Sequence, residues 1–156
     1  MSEQPPTGEK VLRGIPVSAG VCRGRILVLG VGFEAVPRYT VAEADVPREV
    51  ARLEQALVAT RRQIIEIQRK FTESLGAEDA AIFEAHLLVL EDPVVNEEVS
   101  HLITTERMNA EAAFQLVAGR YTESLSQIED EYLRERVADV RDVASRVLNN
   151  LMGRHD

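Results

Sequence analysis

Tryptophan is absent from the 156 residues and aromatic residues make up only 4%, too few for the stacking platforms on which bases or sugars are bound. One cysteine, Cys22, leaves no internal disulfide and suits a reducing compartment, so a cytoplasmic location is expected. In its β-rich surroundings Cys22 reads as a small apolar strand residue. No run reaches 18 apolar residues, so no transmembrane helix is expected. The polar, proline-rich beginning has no apolar run before a cleavage site, so no signal peptide is expected either. Cations are the minority: 18 Lys and Arg against 26 Asp and Glu, a net charge of −8. That balance disfavours nucleic acid and anionic membranes and favours cationic partners. No two of the three histidines, His86, His101 and His155, have the i, i+4 spacing of metal ligands. The serines lack a nucleophile-elbow context, and the early glycines neither lead into a helix nor precede GK[ST], as a phosphate loop requires. No assembled active site is visible, and no cofactor is expected in this chain.

What is present is a lopsided chain with the composition of a soluble globular protein, 45% hydrophobic and 28% charged. Residues 1–9 are polar and expected to be a disordered tail. Residues 10–30 carry Val11, Ile15, Val17, Val21, Ile26, Val28 and Leu29 in short β-rich runs, with Gly14, Gly20, Gly24 and Gly30 as punctuation. They read as a short β hairpin. Residues 31–44 are a connector in which Pro37 opposes regular structure. From residue 45 to 153 the pattern is helical. Val46, Val50, Leu53, Leu57, Ile64, Ile67 and Phe71 step by threes and fours, with Thr60 in one core-side slot, giving a long helix ending near Leu75–Gly76. Arg48, Glu54, Arg62, Glu66 and Lys70 form its solvated face. Asp92–Pro93 caps and starts a helix with a Val95, Val99, Leu102 stripe. Asn109 is expected to cap the next, which carries Ala113, Val117, Tyr121 and Leu125. The last runs from about Glu129 to Met152 through Leu133, Val137, Val140, Ala144, Val147 and Leu151, and Gly153 ends it. Short connections imply antiparallel neighbours. The expected fold class is mainly α: an antiparallel bundle of four main helices, one of them broken, preceded by a β hairpin. Two strands cannot stand alone as a sheet, so the hairpin either lies on the bundle or belongs to a sheet completed elsewhere. The carboxylates are read as solubilising surface groups.

The stretch 76–95, GAEDAAIFEAHLLVLEDPVV, organises the rest. As a helix from about Glu78 to Leu90 it is apolar nearly all round. Ala81, Ile82, Ala85 and Val89 share one face, Phe83, Leu87 and Leu90 another, and Leu88 lies between. Such a helix is either a central core helix or one with a second face for a partner. Glu78, Asp79, Glu84, Glu91 and Asp92 rim it with acid, which suits a basic protein. His86 reads either as a polar residue at the edge of a helix–helix contact or as a partner contact.

Three blocks, GIPVSAGVCRGRILVL, AIFEAHLLVLEDP and DEYLRERVADVRDVASRVLNNLMG, resemble in order and spacing the N-terminal part of enzyme I of the phosphoenolpyruvate:sugar phosphotransferase system. The resemblance covers roughly residues 10–153. It implies that 10–30 are the first strands of an incomplete α/β phosphohistidine domain, and that the helices form a subdomain that docks the histidine phosphocarrier protein HPr for His-to-His phosphoryl transfer in sugar uptake or its regulation. On it the parent protein is an enzyme using phosphoenolpyruvate and Mg2+. This chain lacks the Gly-rich Ser/Thr-His motif and the phosphoenolpyruvate-binding barrel, so by itself it is expected to be inactive. The partners implied are HPr and the rest of the parent enzyme, with no nucleic acid and no membrane. The partner-binding residues implied are Glu78, Ala81, Glu84, His86, Leu88, Val89 and Asp92, joined by Leu125 and Arg136. Ala77, Pro93 and Val94 stand where better-known members have acids, which makes the surface more apolar. The other function class left open is a stand-alone helical interaction module without any role in phosphotransfer.

Overall fold

A computed structural model of the chain describes residues 13–15, 19–21, 23–24, 36–75 and 82–154, with backbone alone for 75 and 132–135. The chain divides into two compact units, Met1–Val31 and Gly32–Asp156. The hairpin expected over 10–30 lies mostly outside the described residues. The few described there carry no strand, and Ile15 and Val21 among them are fully exposed.

The second unit is helical. Among the described residues there are five α-helices: α1 (Val46–Leu75), α2 (Ile82–Leu90), α3 (Pro93–Thr105), α4 (Ala110–Ser126) and α5 (Glu131–Leu151). Only Glu91 and Asp92 separate α2 from α3, which makes these two the broken member of the expected set. α4 packs on α3 and α5; α1 lies against α5, α2, α3 and α4; and α2 also rests on α5. The core follows the sequence periodicity. Leu53 and Ile64 of α1, Val99 and Ile103 of α3, Val117 of α4, and Val143 and Val147 of α5 are almost wholly buried. On α3 the innermost residue of the last turn is Ile103, whereas Leu102 is only half-buried. Phe71 is partly exposed and stacks edge-to-face on Phe83 at 5.2 Å.

The helix ends have local causes. Asp92 Oδ1 accepts from the N–H groups of Val94 (2.9 Å) and Val95 (3.3 Å), and Pro93 takes the first helical position, where no N–H is needed. Gly153, with φ 68°, closes α5: its N–H reaches Asn150 O and that of Arg154 reaches Asn149 O, the paired bonds of a left-handed glycine stop.

Three expectations are corrected here. Asn109 stands before α4 but makes no side-chain cap bond. Its amide is used elsewhere: Oδ1 accepts from Tyr39 N–H at 3.0 Å, and Nδ2 donates to Pro37 O and to Glu111 Oε2, each at 2.9 Å. The free N–H of Ala110 is met instead by Glu49 Oε1 of α1 at 2.8 Å. Nor do all the carboxylates solvate the surface, because Glu49 and Glu111 are buried. They share Arg52, whose Nη1 donates to Glu49 at 2.7 Å and whose Nη2 donates to Glu111 at 2.5 Å. Burial opposes the charge on Arg52, but hydrogen bonds and charge attraction from Glu111 and Glu49 outweigh it and raise its pKa above the ordinary range. The connector is also more ordered than Pro37 suggests. Val41 N–H donates to Arg107 O at 2.7 Å, Thr40 forms one antiparallel bridge with Met108, and Glu43–Asp45 make a 3-10 turn.

Candidate functional site

α2 turns one side inward. Phe83, His86 and Leu90 are buried; Ala85, Leu87 and Val89 are half-buried; Ile82, Glu84 and Leu88 face solvent. Leu88 is 64% exposed and Ile82 52%. The apolar surplus in the sequence is therefore split. The core takes the Phe83–His86–Leu90 stripe and leaves two large apolar side chains outside.

Glu84, Leu88 and Glu91 follow each other by four and three residues, which places them on one side of the helix and its end. Glu91 is held there by Arg61 of α1, Nε to Oε1 at 2.6 Å. Beyond the turn Val94, on the first turn of α3, is 70% exposed. Its outward position is legible in the sequence, since it lies outside the Val95–Val99 stripe that faces the core. Among the described residues this surface sets exposed apolar groups beside the acids Glu84 and Glu91, the latter paired with Arg61.

The remaining sequence-derived candidates take different places. Glu78 and Ala81 lie outside the described residues. Val89 is half-buried and lines a small apolar cavity of about 20 Å³ together with Tyr121 and Val140, among others. That cavity joins α2 to the C-terminal half of α4, where half-buried Leu125 follows Tyr121 by one turn, and to α5, where Arg136 precedes Val140 by one turn. Asp92 is occupied as the α3 cap. His86, only 6% exposed, lies beneath the surface rather than on it. Its Nε2 is 3.2 Å from Asp139 Oδ1 and its Nδ1 3.8 Å from Asp142 Oδ2. Sequence reasoning missed Asp139 and Asp142. Nothing local marks them, because their role depends on α5 lying against α2.

Among the described residues no group of three His, Cys, Asp or Glu side chains is placed to hold a metal ion, and no helix is long and apolar enough to cross a membrane. What the surface can do chemically is bind. It offers desolvatable apolar area beside acidic side chains.

Comparison with known proteins places the chain in a family. The N-terminal domain of PEP-utilising enzymes matches residues 13–136. The chain is 40% identical over 145 residues to the phosphoenolpyruvate-protein phosphotransferase of Geobacillus stearothermophilus, covering 93% of this chain and 25% of that protein. It is 35% identical over 143 residues to the protein of the same name from Haemophilus influenzae, covering 92% and 25%. The chain thus spans about a quarter of the length of these relatives. Among solved structures, the solution structure of enzyme I (nEIt) superposes with a TM-score of 0.72 at 36% identity, covering 76% of this chain and 48% of that one. The N-terminal domain of Enzyme 1 - Nitrogen gives 0.68 at 26% identity, covering 77% and 49%. By the extent of the family match, the chain belongs to the PEP-utilising enzymes, as their N-terminal domain.

Proposed function

We propose that this chain is the docking part of a phosphoenolpyruvate-protein phosphotransferase, and that its helical unit seats the histidine phosphocarrier HPr so that a phosphoryl group can pass between a histidine of the parent enzyme and one of the carrier. The observation that carries this is exposed Leu88, flanked on the same side by Glu84 and Glu91. Apolar side chains at an exposed helix position cost little in the free protein and gain when a partner removes them from water. The acids steer a basic partner toward them. The relatives' names support the transferase reading.

In this reading the chain contributes positioning, and the bond chemistry belongs to histidines outside it. Magnesium is expected for the parent, and no step in this chain is assigned to it. The binding residues remain those implied by the resemblance, with direct contact given to Glu84, Leu88 and the end of α4 at Leu125, and support from beneath given to Val89 and His86. The setting proposed is the cytoplasm.

The test is a titration of the isotopically labelled chain with HPr, followed by NMR. Amide shifts should concentrate on α2, the first turn of α3 and the end of α4. Shifts absent at millimolar carrier, or confined to Arg62, Ile65 and Arg69 on the outer side of α1, would refute it.

A further inference from the structure

The buried imidazole of His86 faces one carboxylate with each ring nitrogen. Asp139 and Asp142 are three residues apart on α5 and so project from one side of it. Nε2 lies within hydrogen-bond range of Asp139, while buried Nδ1 has no hydrogen-bond partner and points at Asp142 from 3.8 Å. A neutral imidazole carries one N–H and one lone pair. With the proton on Nε2, the Nδ1 lone pair faces an anion. With the proton on Nδ1, the lone pair faces Asp139 instead. Only the imidazolium offers a donor to both. Among the described residues one competing donor also reaches this site. Phe83 meets the ring edge-on at 5.7 Å, Arg146 of α5 donates to Asp142 at 3.2 Å, and on the α1 side Arg61 is taken by Glu91.

We propose that His86 is a proton-operated latch between α2 and α5: uptake of a second proton closes Nδ1–H onto Asp142 and holds α2 down, and its loss loosens α2. Asp139 is the positioning residue that orients the ring, and Asp142 is the catch. As a fold property this stands alone. As regulation of partner binding it rests on the docking reading, and it makes docking tighter when the ring is doubly protonated, because a helix already held in place loses less freedom on binding.

The latch is read in the chain by itself. Ring-nitrogen shifts of His86 and amide protection factors of α2, with α4 as internal reference, are measured from about pH 5.5 to about pH 8. Both nitrogens should be protonated at the acid end, and α2 protection there should be about fivefold higher than at the alkaline end. Asp142→Asn, and independently His86→Gln, should remove the pH dependence. Arg146→Gln, which takes away the competing donor to Asp142, should keep it. An unprotonated Nδ1 at the acid end, pH-independent protection in the parent chain, or pH dependence surviving in either of the first two variants overturns the latch. A companion measurement takes the ratio of parent to Asp142→Asn affinity for HPr at both pH values, in which the carrier's own titration cancels. A ratio rising on acidification supports the regulatory role and a constant ratio overturns it. Absence of any binding, with the latch readouts intact, refutes the docking reading and leaves the latch standing.

Discussion

Glu49 accepts the backbone N–H of Ala110, 61 residues further along the chain, at 2.8 Å, and so caps a helix that is not its own. The same carboxylate holds Arg52, which also reaches Glu111, Leu151 O at 3.1 Å and the Tyr39 hydroxyl at 3.3 Å. One guanidinium therefore touches the connector, the start of α4 and the end of α5. Glu49→Ala removes the cap of α4 and leaves Arg52 and Glu111 as an incomplete buried set. It is expected to destabilise the chain by about 3 kcal/mol, read by urea unfolding. Glu49→Gln keeps an acceptor for Ala110 and should cost roughly half as much.

On the exposed side of α1, Glu66 gives a pH-dependent signature. The hydrogen bond from Arg69 holds its carboxyl below the ordinary carboxylate value, with charge attraction from Arg69 and Lys70 adding to it. The pair's contribution to stability is therefore present above the unfolded-state value and is lost as pH falls through the lower folded-state value. Carboxyl-carbon NMR should show Glu66 titrating at lower pH than a free glutamate. Arg69→Gln should move the midpoint up, and about 0.5 M salt should move it the same way by screening. A Glu66 midpoint unchanged in Arg69→Gln would remove Arg69 as the cause.

How much of this was legible in the sequence depends on distance along the chain. The extents of α1 and α5 follow from spacing by threes and fours, the α3 start from Asp92–Pro93, and the α5 stop from Gly153, all of them causes within a few residues of their effects. The web of Tyr39, Glu49, Arg52, Asn109, Glu111 and Leu151 is not local at all. Glu49 and Glu111 look like any helix-surface acid until the fold brings Arg52 between them, and Asn109 looks like a cap until Tyr39 and Pro37 claim its amide. α2 failed differently. It is so uniformly apolar that periodicity could not say which side goes inward, although the excess of apolar groups does require some to remain outside. Which partner covers them is not written in the spacing of residues.

Two positions on α1 test the assignment of its inner and outer sides. Ile64 is wholly buried and Val58 is 58% exposed. Ile64→Ala should cost about 3 kcal/mol through lost burial and the cavity left behind. Val58→Ala should stay within about 0.5 kcal/mol. Equal midpoints for the two variants in thermal unfolding would contradict the packing described.

The docking face has its sharpest test at Leu88. Its side chain is mostly in water in the free chain, so Leu88→Asp removes little buried area and should change stability by no more than about 0.5 kcal/mol. In a complex the same carboxylate would lie in an apolar contact, stripped of hydration and without a partner, a loss on the order of 2 kcal/mol or more. Binding of HPr should therefore weaken at least about thirtyfold while the unfolding curve stays in place. Glu84→Lys separates the electrostatic contribution, since Glu84 is exposed on the same side of α2. That change should slow association with a basic carrier and flatten the salt dependence of the rate, leaving dissociation nearly unaltered. Leu88→Asp that unfolds the chain would mean that Leu88 is core, against its exposure. Leu88→Asp that folds and still binds HPr with unchanged affinity would take this side of α2 out of the interface.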